Sequence, residues 1–346
     1  MALDSRKETV LRAIVQDYID TAEPVGSNVL TQRHALGYCA ASVRSVMAEL
    51  ESLGYLYQPH TSAGRIPTDK GYRFFVDFLM GKERLTAQER HEIRTNLEAY
   101  TSEIETFIER VAKTLASISH CASMILVPRL RRFFLKSLQL VPIEDDKALL
   151  VMVTSSGHII NKLIEAPGCI QEDLPRLSAM LNERFSGIPL EQLTYARVES
   201  LVGELMGSVY SGILKELLPL IASSAGQELG DKVASEGALG LLAQPEFRDV
   251  GKVKRLLELL EDRRPISAVL THQMSTAGLR VVIGGENPYR EMQDYSLITA
   301  TYRMDDQVVG SLGILGPTRM HYSKLVSLVR YIAHCLSEKL TPLGKR

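Results

Sequence analysis

The sequence predicts an α+β protein: a small N-terminal unit of helices with one short strand, then a larger body whose strands come in two groups separated by helices. Three observations carry this. Apolar residues recur at helical spacing from Val10 to Ile19 and from Val43 to Leu53. Strand-like runs appear at 124–127, 137–141, 148–153 and 158–164, then return only at 279–283, 297–302 and 308–315. Between the groups, from about Gln171 to Ala243, the pattern is helical and rich in Leu, Glu, Ala and Ser.

Ser5-Arg6-Lys7-Glu8 reads as a capping box opening the first helix, and Glu23-Pro24-Val25-Gly26 ends it. Ser27 is placed to cap a second, short helix through His34, closed by Gly37. A third helix spans Ala40 to Leu53. Its apolar face is Val43, Val46, Met47, Leu50 and Leu53, and its other face is Ala41, Arg44, Ser45, Ala48 and Ser52. A solvated face ordinarily carries many Lys and Glu; small residues beside one arginine suit close approach to another surface. The strand Tyr55–Gln58, an acid-free loop 59–67 and a helix capped by Thr68 complete the order of a winged helix-turn-helix over residues 1–80.

Thr86-Ala87-Gln88-Glu89 is a second capping box. It opens a linking helix over 81–120 with Ile93, Leu97, Tyr100, Ile104, Phe107, Val111, Leu115 and Ile118 at alternating spacings of four and three. That stripe fits a coiled-coil seam or an amphipathic helix packed on its own chain. Strands, helices and strands again are what an insertion into one α+β domain produces, so the body is assigned to 121–165 and 245–346 and the insertion to 166–244.

Composition is that of a globular chain: 346 residues, 45% hydrophobic, 23% charged, net charge −1. No apolar run is long enough for a membrane span and the N-terminus lacks a signal-peptide pattern, so a cytoplasmic location is expected. The four cysteines form no Cys-x-x-Cys pair, which points to buried free thiols and no metal. Enzyme motifs are missing: Gly310-Ser311-Leu312-Gly313 is too short for a nucleophile elbow, and no metal-ligating His-Glu-x-x-His, phosphate-binding or dinucleotide loop occurs. No cofactor is expected.

The run Pro59–Arg73 closely resembles the wing segment of the HrcA family of heat-inducible transcription repressors. Glu23-Pro24-Val25-Gly26-Ser27 matches that family's first helix boundary, and Ile283-Gly284-Gly285-Glu286-Asn287 and Gly316–Tyr322 look like its later motifs. The resemblance implies a GAF-like α/β body interrupted by an inserted helical dimerisation domain. It also implies repression of chaperone operons through an inverted-repeat operator on double-stranded DNA, release on heat stress, and a chaperonin partner that keeps the repressor active. One departure concerns the third helix. The family pattern opens Ser-Ser-Ala-Thr-Ile-Arg-Asn, and here the residues are Cys39-Ala40-Ala41-Ser42-Val43-Arg44-Ser45. Asn bonds an adenine edge bidentately and Ser does not, so base preference shifts at Ser45.

The DNA-facing residues expected are Ser27, Ala41, Ser42, Arg44 and Ser45 on the helices, His60, Thr61, Ser62 and Arg65 in the wing, and Lys70 and Arg73 beyond it. Arg44 suits a base edge or phosphate, the alternative being an ion pair with Glu49 or Glu51. Lys70 or Arg73 has the alternative of pairing with Asp69 or Asp77. Arg129, Arg131, Arg132 and Lys136 form a second basic cluster that also reads as a solvated loop. An inverted repeat needs two winged helices related by a two-fold axis. A homodimer is therefore expected, with its interface on the inserted helices of 171–243, alone or together with the Ile93–Ile118 seam.

Overall fold

The computed structural model describes residues 3–98, 104–127, 134–144, 147–155, 159–165, 173–189, 192–203, 211–226, 233–262, 264–276 and 278–341. The N-terminal unit runs α1 (Ser5–Thr21), α2 (Ser27–Arg33), α3 (Ala40–Ser52), β1 (Leu56–Tyr57), β2 (Ile66–Pro67) and α4 (Asp69–Phe74), which continues as a π-helical turn over Phe75–Leu79. The cap of α1 is Asp4, not Ser5: its carboxylate accepts from the Lys7 N–H at 2.8 Å. An acid one position earlier outcompetes the expected serine because its charge also faces the positive end of the helix dipole. Ser27 likewise does not cap; Gly26 occupies that position and Ser27 is buried in the first turn of α2. Thr68 caps α4 as expected, its Oγ1 accepting from Gly71 N at 3.2 Å. Val43, Val46, Met47 and Leu50 enter one core with Val10, Leu11, Ile14, Leu30 and Tyr72, while Leu53 stays partly exposed at the end of α3.

The capping box at 86–89 forms in both directions, with Thr86 N to Glu89 Oε2 at 2.8 Å and Glu89 N to Thr86 Oγ1 at 3.1 Å. It opens α5 (Ala87–Glu98), followed by α6 (Ile104–Ser119). Ile93, Leu97, Ile104, Phe107, Val111 and Leu115 are all buried within this single chain, so the stripe is an intramolecular face and not an open seam. Tyr100 lies outside the described residues.

The body follows as β3 (Ala122–Leu126), β4 (Leu135–Glu144), β5 (Lys147–Thr154), β6 (Ile159–Glu165), α7 (Asp173–Phe185), α8 (Tyr195–Val202), α9 (Ser211–Gly226), β7 (Val233–Glu236), α10 (Ala238–Leu242), α11 (Val250–Glu261), α12 (Arg264–Thr276), β8 (Leu279–Ile283), β9 (Tyr295–Met304), β10 (Gln307–Pro317) and α13 (Tyr322–Leu340). Five strands form an antiparallel sheet in the order β7-β3-β10-β9-β8. One face packs on α6 and α13 and the other on α11 and α12, each burying its own apolar cluster.

The partition of strands differs from the expected one. β4, β5 and β6 form a separate three-stranded antiparallel sheet, and β7 joins the larger sheet. Helix α7 gives the reason. Asn182 accepts from Leu138 N at 2.6 Å and donates to Leu138 O at 2.5 Å, and Ser178 Oγ accepts from Leu140 N at 2.9 Å. Those side chains use the free backbone groups of Leu138 and Leu140, and the segment 187–189 pairs with Phe134 and Leu135, so this edge of β4 is closed to the larger sheet. Between β3 and β7 the chain thus builds the separate sheet β4–β6 and the helices α7 to α9.

The N-terminal unit is fastened to the body at α4. Arg73 donates to Glu286 at 2.7 and 2.5 Å, to Val281 O at 2.7 Å and to Asp77 at 3.1 Å. Asp69 accepts from Gly285 N at 2.8 Å, and the rings of Tyr72 and Tyr322 meet at 5.9 Å. On the other side Arg319 donates to Ile19 O at 2.5 Å while held by Glu246 at 2.6 Å. Burial pushes the Glu286 carboxyl up, and hydrogen bonds from Arg73 and from Ile283 N outweigh it, leaving the carboxyl below its usual range.

A depressed carboxyl stabilises the folded state above its unfolded pKa of about 4.3 and loses that contribution as pH falls through the lower folded value. Arg73→Ala should therefore lower stability by about 1–2 kcal/mol at neutral pH. Urea unfolding measured from pH 7 down to pH 3 should show the difference between variant and wild type shrinking below about pH 4. A constant difference across that range would mean Glu286 is not the group involved.

Candidate nucleic-acid interface

On α3 the residues Ala41, Arg44, Ser45 and Ala48 are exposed and Ser42 is half-buried. This face exists because the four inward apolar residues fix the helix rotation, leaving small residues and one guanidinium outside. The acids available to Arg44 are engaged: Glu49 pairs with Lys7 at 2.9 Å and Glu51 with Arg65 at 2.9 Å. Among the described residues Arg44 has no ion-pair or hydrogen-bond partner.

Cys39 stands at the N-cap of α3, exposed, with Sγ 3.4 Å from Ser42 Oγ. The Ser42 hydroxyl and then its backbone N–H hold the thiol below its ordinary pKa. Cys121 and Cys335 are buried free thiols as expected, Cys39 is not, and Cys169 lies outside the described residues. Cys39 is exposed because the N-cap is the last turn before the chain enters the helix, clear of the core.

The wing is the β1–β2 hairpin. Gln58 Nε2 donates to Thr61 O at 3.0 Å and Ala63 O at 2.9 Å, closing the loop from inside and leaving His60, Thr61 and Ser62 exposed at its tip. Val25 and Arg65 exchange backbone hydrogen bonds at 3.0 and 2.8 Å, tying the wing base to the turn before α2. Gly64 permits this contact, since a Cβ there would overlap the Val25 carbonyl.

Four of the expected DNA-facing residues are buried or engaged within the protein. Ser27 is buried. Arg65 is turned back onto Glu51. Lys70 Nζ donates to Leu53 O at 2.7 Å and lies 4.5 Å from the Tyr55 ring centroid, so it caps the C-terminal end of α3. Arg73 docks the unit on the body. In the second basic cluster Lys136 is exposed, and Arg129, Arg131 and Arg132 lie outside the described residues.

Sequence reading passed over Tyr38, which is 40% exposed directly before α3 with the Arg6 guanidinium 4.5 Å over its ring. It also passed over Tyr57, 47% exposed on β1. The cation–aromatic pair joins α1 to the loop before α3, and no periodicity signals a contact of that kind. Among the described residues no helix is long and apolar enough to cross a membrane.

Comparison with known proteins gives a consistent result. The HrcA protein C-terminal domain family matches residues 105–326. The heat-inducible transcription repressor HrcA of Acetivibrio thermocellus is 39% identical over 99% of this chain and 98% of its own length. That of Desulforamulus reducens is 36% identical over 100% and 99%. A crystal structure of a hypothetical protein superposes with a TM-score of 0.67 at 25% identity, covering 99% of this chain and 100% of that chain. The relatives are named as repressors and not as enzymes. Because the matches run over essentially the whole length, N-terminal unit and body alike, the chain belongs to the HrcA family of heat-inducible transcription repressors.

Proposed function

We propose that this chain represses heat-shock (chaperone) operons by binding an inverted-repeat operator as a homodimer. Helix α3 enters the major groove and the wing tip at 60–62 lies against the backbone or minor groove. The observation that carries the reading is Arg44. Its neighbours Lys7, Arg65 and Lys70 are each tied to protein oxygens, whereas Arg44 stands unpaired among small side chains that let the helix come close. A guanidinium so placed donates bidentately to guanine O6 and N7. Thr61 and Ser62 offer hydroxyl and backbone donors to phosphates. Arg44→Ala is expected to weaken operator binding about 10- to 100-fold while changing affinity for random duplex little. Equal losses on both would reduce Arg44 to a phosphate contact, and unchanged binding would remove α3 from the groove.

The homodimer is supported by the outer face of the β4–β5–β6 sheet. Helices α7 and α9 bury their own apolar residues, among them Leu177, Leu181, Leu217 and Ile221, so they offer less than the sequence promised. The opposite side of the sheet exposes Val141, Ile143, Ile159 and Leu163, and Val141, Leu149 and Leu163 stand in one row across the three strands. A solvated antiparallel face is ordinarily polar, and an apolar one marks an interface. Leu163→Glu should give a monomer by sedimentation at micromolar concentration, with unchanged circular dichroism and much weaker operator binding. A dimer persisting in that variant would place the interface elsewhere.

Release on heating is attributed to the same inserted unit. Helix α9 contains Pro219 in its interior and Gly212 and Gly226 near its ends. An interior proline costs about 3 kcal/mol and a glycine about 1 kcal/mol relative to alanine. Gly203 lies at the end of α8, Gly237 and Gly240 belong to α10 beyond the insertion, and Gly207 and Gly230 are outside the described residues. Loss of α9 unbacks the sheet that joins the subunits, and a bivalent reader without fixed spacing loses most of its affinity. A chaperonin that binds the opened form then couples repression to free chaperonin. Heating the purified chain should abolish operator binding and dimer content together, with recovery on cooling improved by chaperonin. Operator binding that survives well above growth temperature would exclude intrinsic sensing.

A further inference from the structure

We propose that the first turn of α1 grips a phosphate of the DNA backbone through Arg6, on the flank of α3 opposite the wing. The inference rests on the reading above, that α3 lies in the major groove.

The helical period fixes what borders the reading face. At about 100° per residue, Ala41, Arg44, Ser45 and Ala48 fall within one arc of α3, between Glu51 on one side and Glu49 on the other. Each glutamate is held by a neighbouring element. Glu51 pairs with Arg65 at the base of the wing at 2.9 Å, and Glu49 pairs with Lys7 in the first turn of α1 at 2.9 Å. The wing and α1 therefore stand on opposite sides of the reading face. A helix in the major groove has a phosphate backbone on either side. The wing tip meets one of them, and α1 is placed to meet the other.

Arg6 is the cation available on that side. Lys7 occupies both nearby acids, Asp4 at 2.6 Å and Glu49 at 2.9 Å. Glu8, two residues on, does not share the helix face of Arg6. Among the described residues the Arg6 side chain accordingly makes neither ion pair nor hydrogen bond. Its guanidinium lies 4.5 Å over the ring of Tyr38, which is exposed one residue before the N-cap of α3. An aromatic face holds the guanidinium plane without using its N–H donors. Nε is covered by protein, so the two terminal nitrogens are the ones left to donate. A phosphate accepts from them bidentately. Held on the ring, the arginine also loses less freedom on binding than a free side chain does. Arg6 is the contact in this arrangement and Tyr38 the positioning residue.

The experiment measures binding of the full chain to an operator duplex and to a random duplex of equal length, by fluorescence anisotropy over a series of KCl concentrations. Each phosphate contact contributes about 0.9 to the slope of log K against log salt. Arg6→Gln should lower that slope by about 0.9 per subunit bound on both duplexes, and weaken both to a similar extent. Arg6→Lys keeps the charge and should keep the slope, which separates a lost contact from a lost fold. Tyr38→Phe keeps the ring and should bind as the wild type does, whereas Tyr38→Ala should weaken both duplexes. A slope unchanged in Arg6→Gln, a loss confined to the operator, or wild-type binding by Tyr38→Ala would overturn the proposal. Arg44→Ala, measured alongside, tests the reading beneath it. If only the present inference fails, Arg44→Ala still lowers the preference for the operator while Arg6→Gln leaves the slope unchanged. If α3 lies outside the groove, Arg44→Ala leaves that preference as it was.

Discussion

The contact between Asp69–Arg73 and the turn at Gly284–Glu286 determines where the exposed face of α3 points. A helix-turn-helix on a loose tether presents its reading helix in any direction; here α4 is clamped to the body by a carboxylate on a backbone N–H and a guanidinium on a carboxylate. The turn can receive Asp69 because Gly284 adopts φ +50 and a Cβ there would overlap the Asp69 carboxylate. Arg319 fixes the C-terminal end of α1 from the opposite side. With α1 and α4 both held, α3 has no independent orientation, since it shares their core. In the proposed dimer the separation of two reading helices is then set by the rigid body rather than by chain length, the condition under which two modest contacts combine into tight binding.

This contact also explains the shape of the long run from Pro59 to Arg73. Its first part, around His60–Ser62, is the open wing tip, and its last part, Thr68–Arg73, is the docking helix. The motifs at 283–287 and 316–322, remote in sequence, are the surface that receives it. Segments that looked like separate signatures are two sides of one interface.

What the sequence could show follows from the range of each interaction. Helices and most strands were readable because their apolar periodicity is local, as were the caps at Thr68 and Thr86, whereas β7 lies in a stretch that reads as helical. The division of strands between two sheets was not readable either. β4 is closed by Asn182 and Ser178, which on a helical pattern look like ordinary polar positions. The same limit applies to the cations of the candidate interface. Arg44, Arg65, Lys70 and Arg73 read alike in sequence, yet the partner of Arg73 lies 213 residues away and that of Lys70 is a backbone carbonyl. Neither a charge pattern nor a helical period records such partners.

The fate of those cations bears on how a chain of net charge −1 would hold DNA. Phosphate neutralisation supplies most of the affinity of basic DNA-binding proteins and is indifferent to sequence. Here several cations nearest α3 are spent on internal oxygens: Lys7 on Asp4 and Glu49, Arg65 on Glu51, Lys70 on the end of α3. They hold the reading surface in shape; Lys7 and Arg65, paired with carboxylates, add little free positive charge to it, whereas Lys70, on a neutral carbonyl, keeps its own. In the proposed complex the contacts left open, Arg44 on α3 and the hydroxyls and backbone of the wing tip, are ones whose value depends on matched geometry. Such a protein trades strength on arbitrary duplex for discrimination. In the proposed dimer it depends more than a basic protein does on having two copies at the right spacing, so disturbing the proposed interface on the β4–β5–β6 sheet is an effective way to release it.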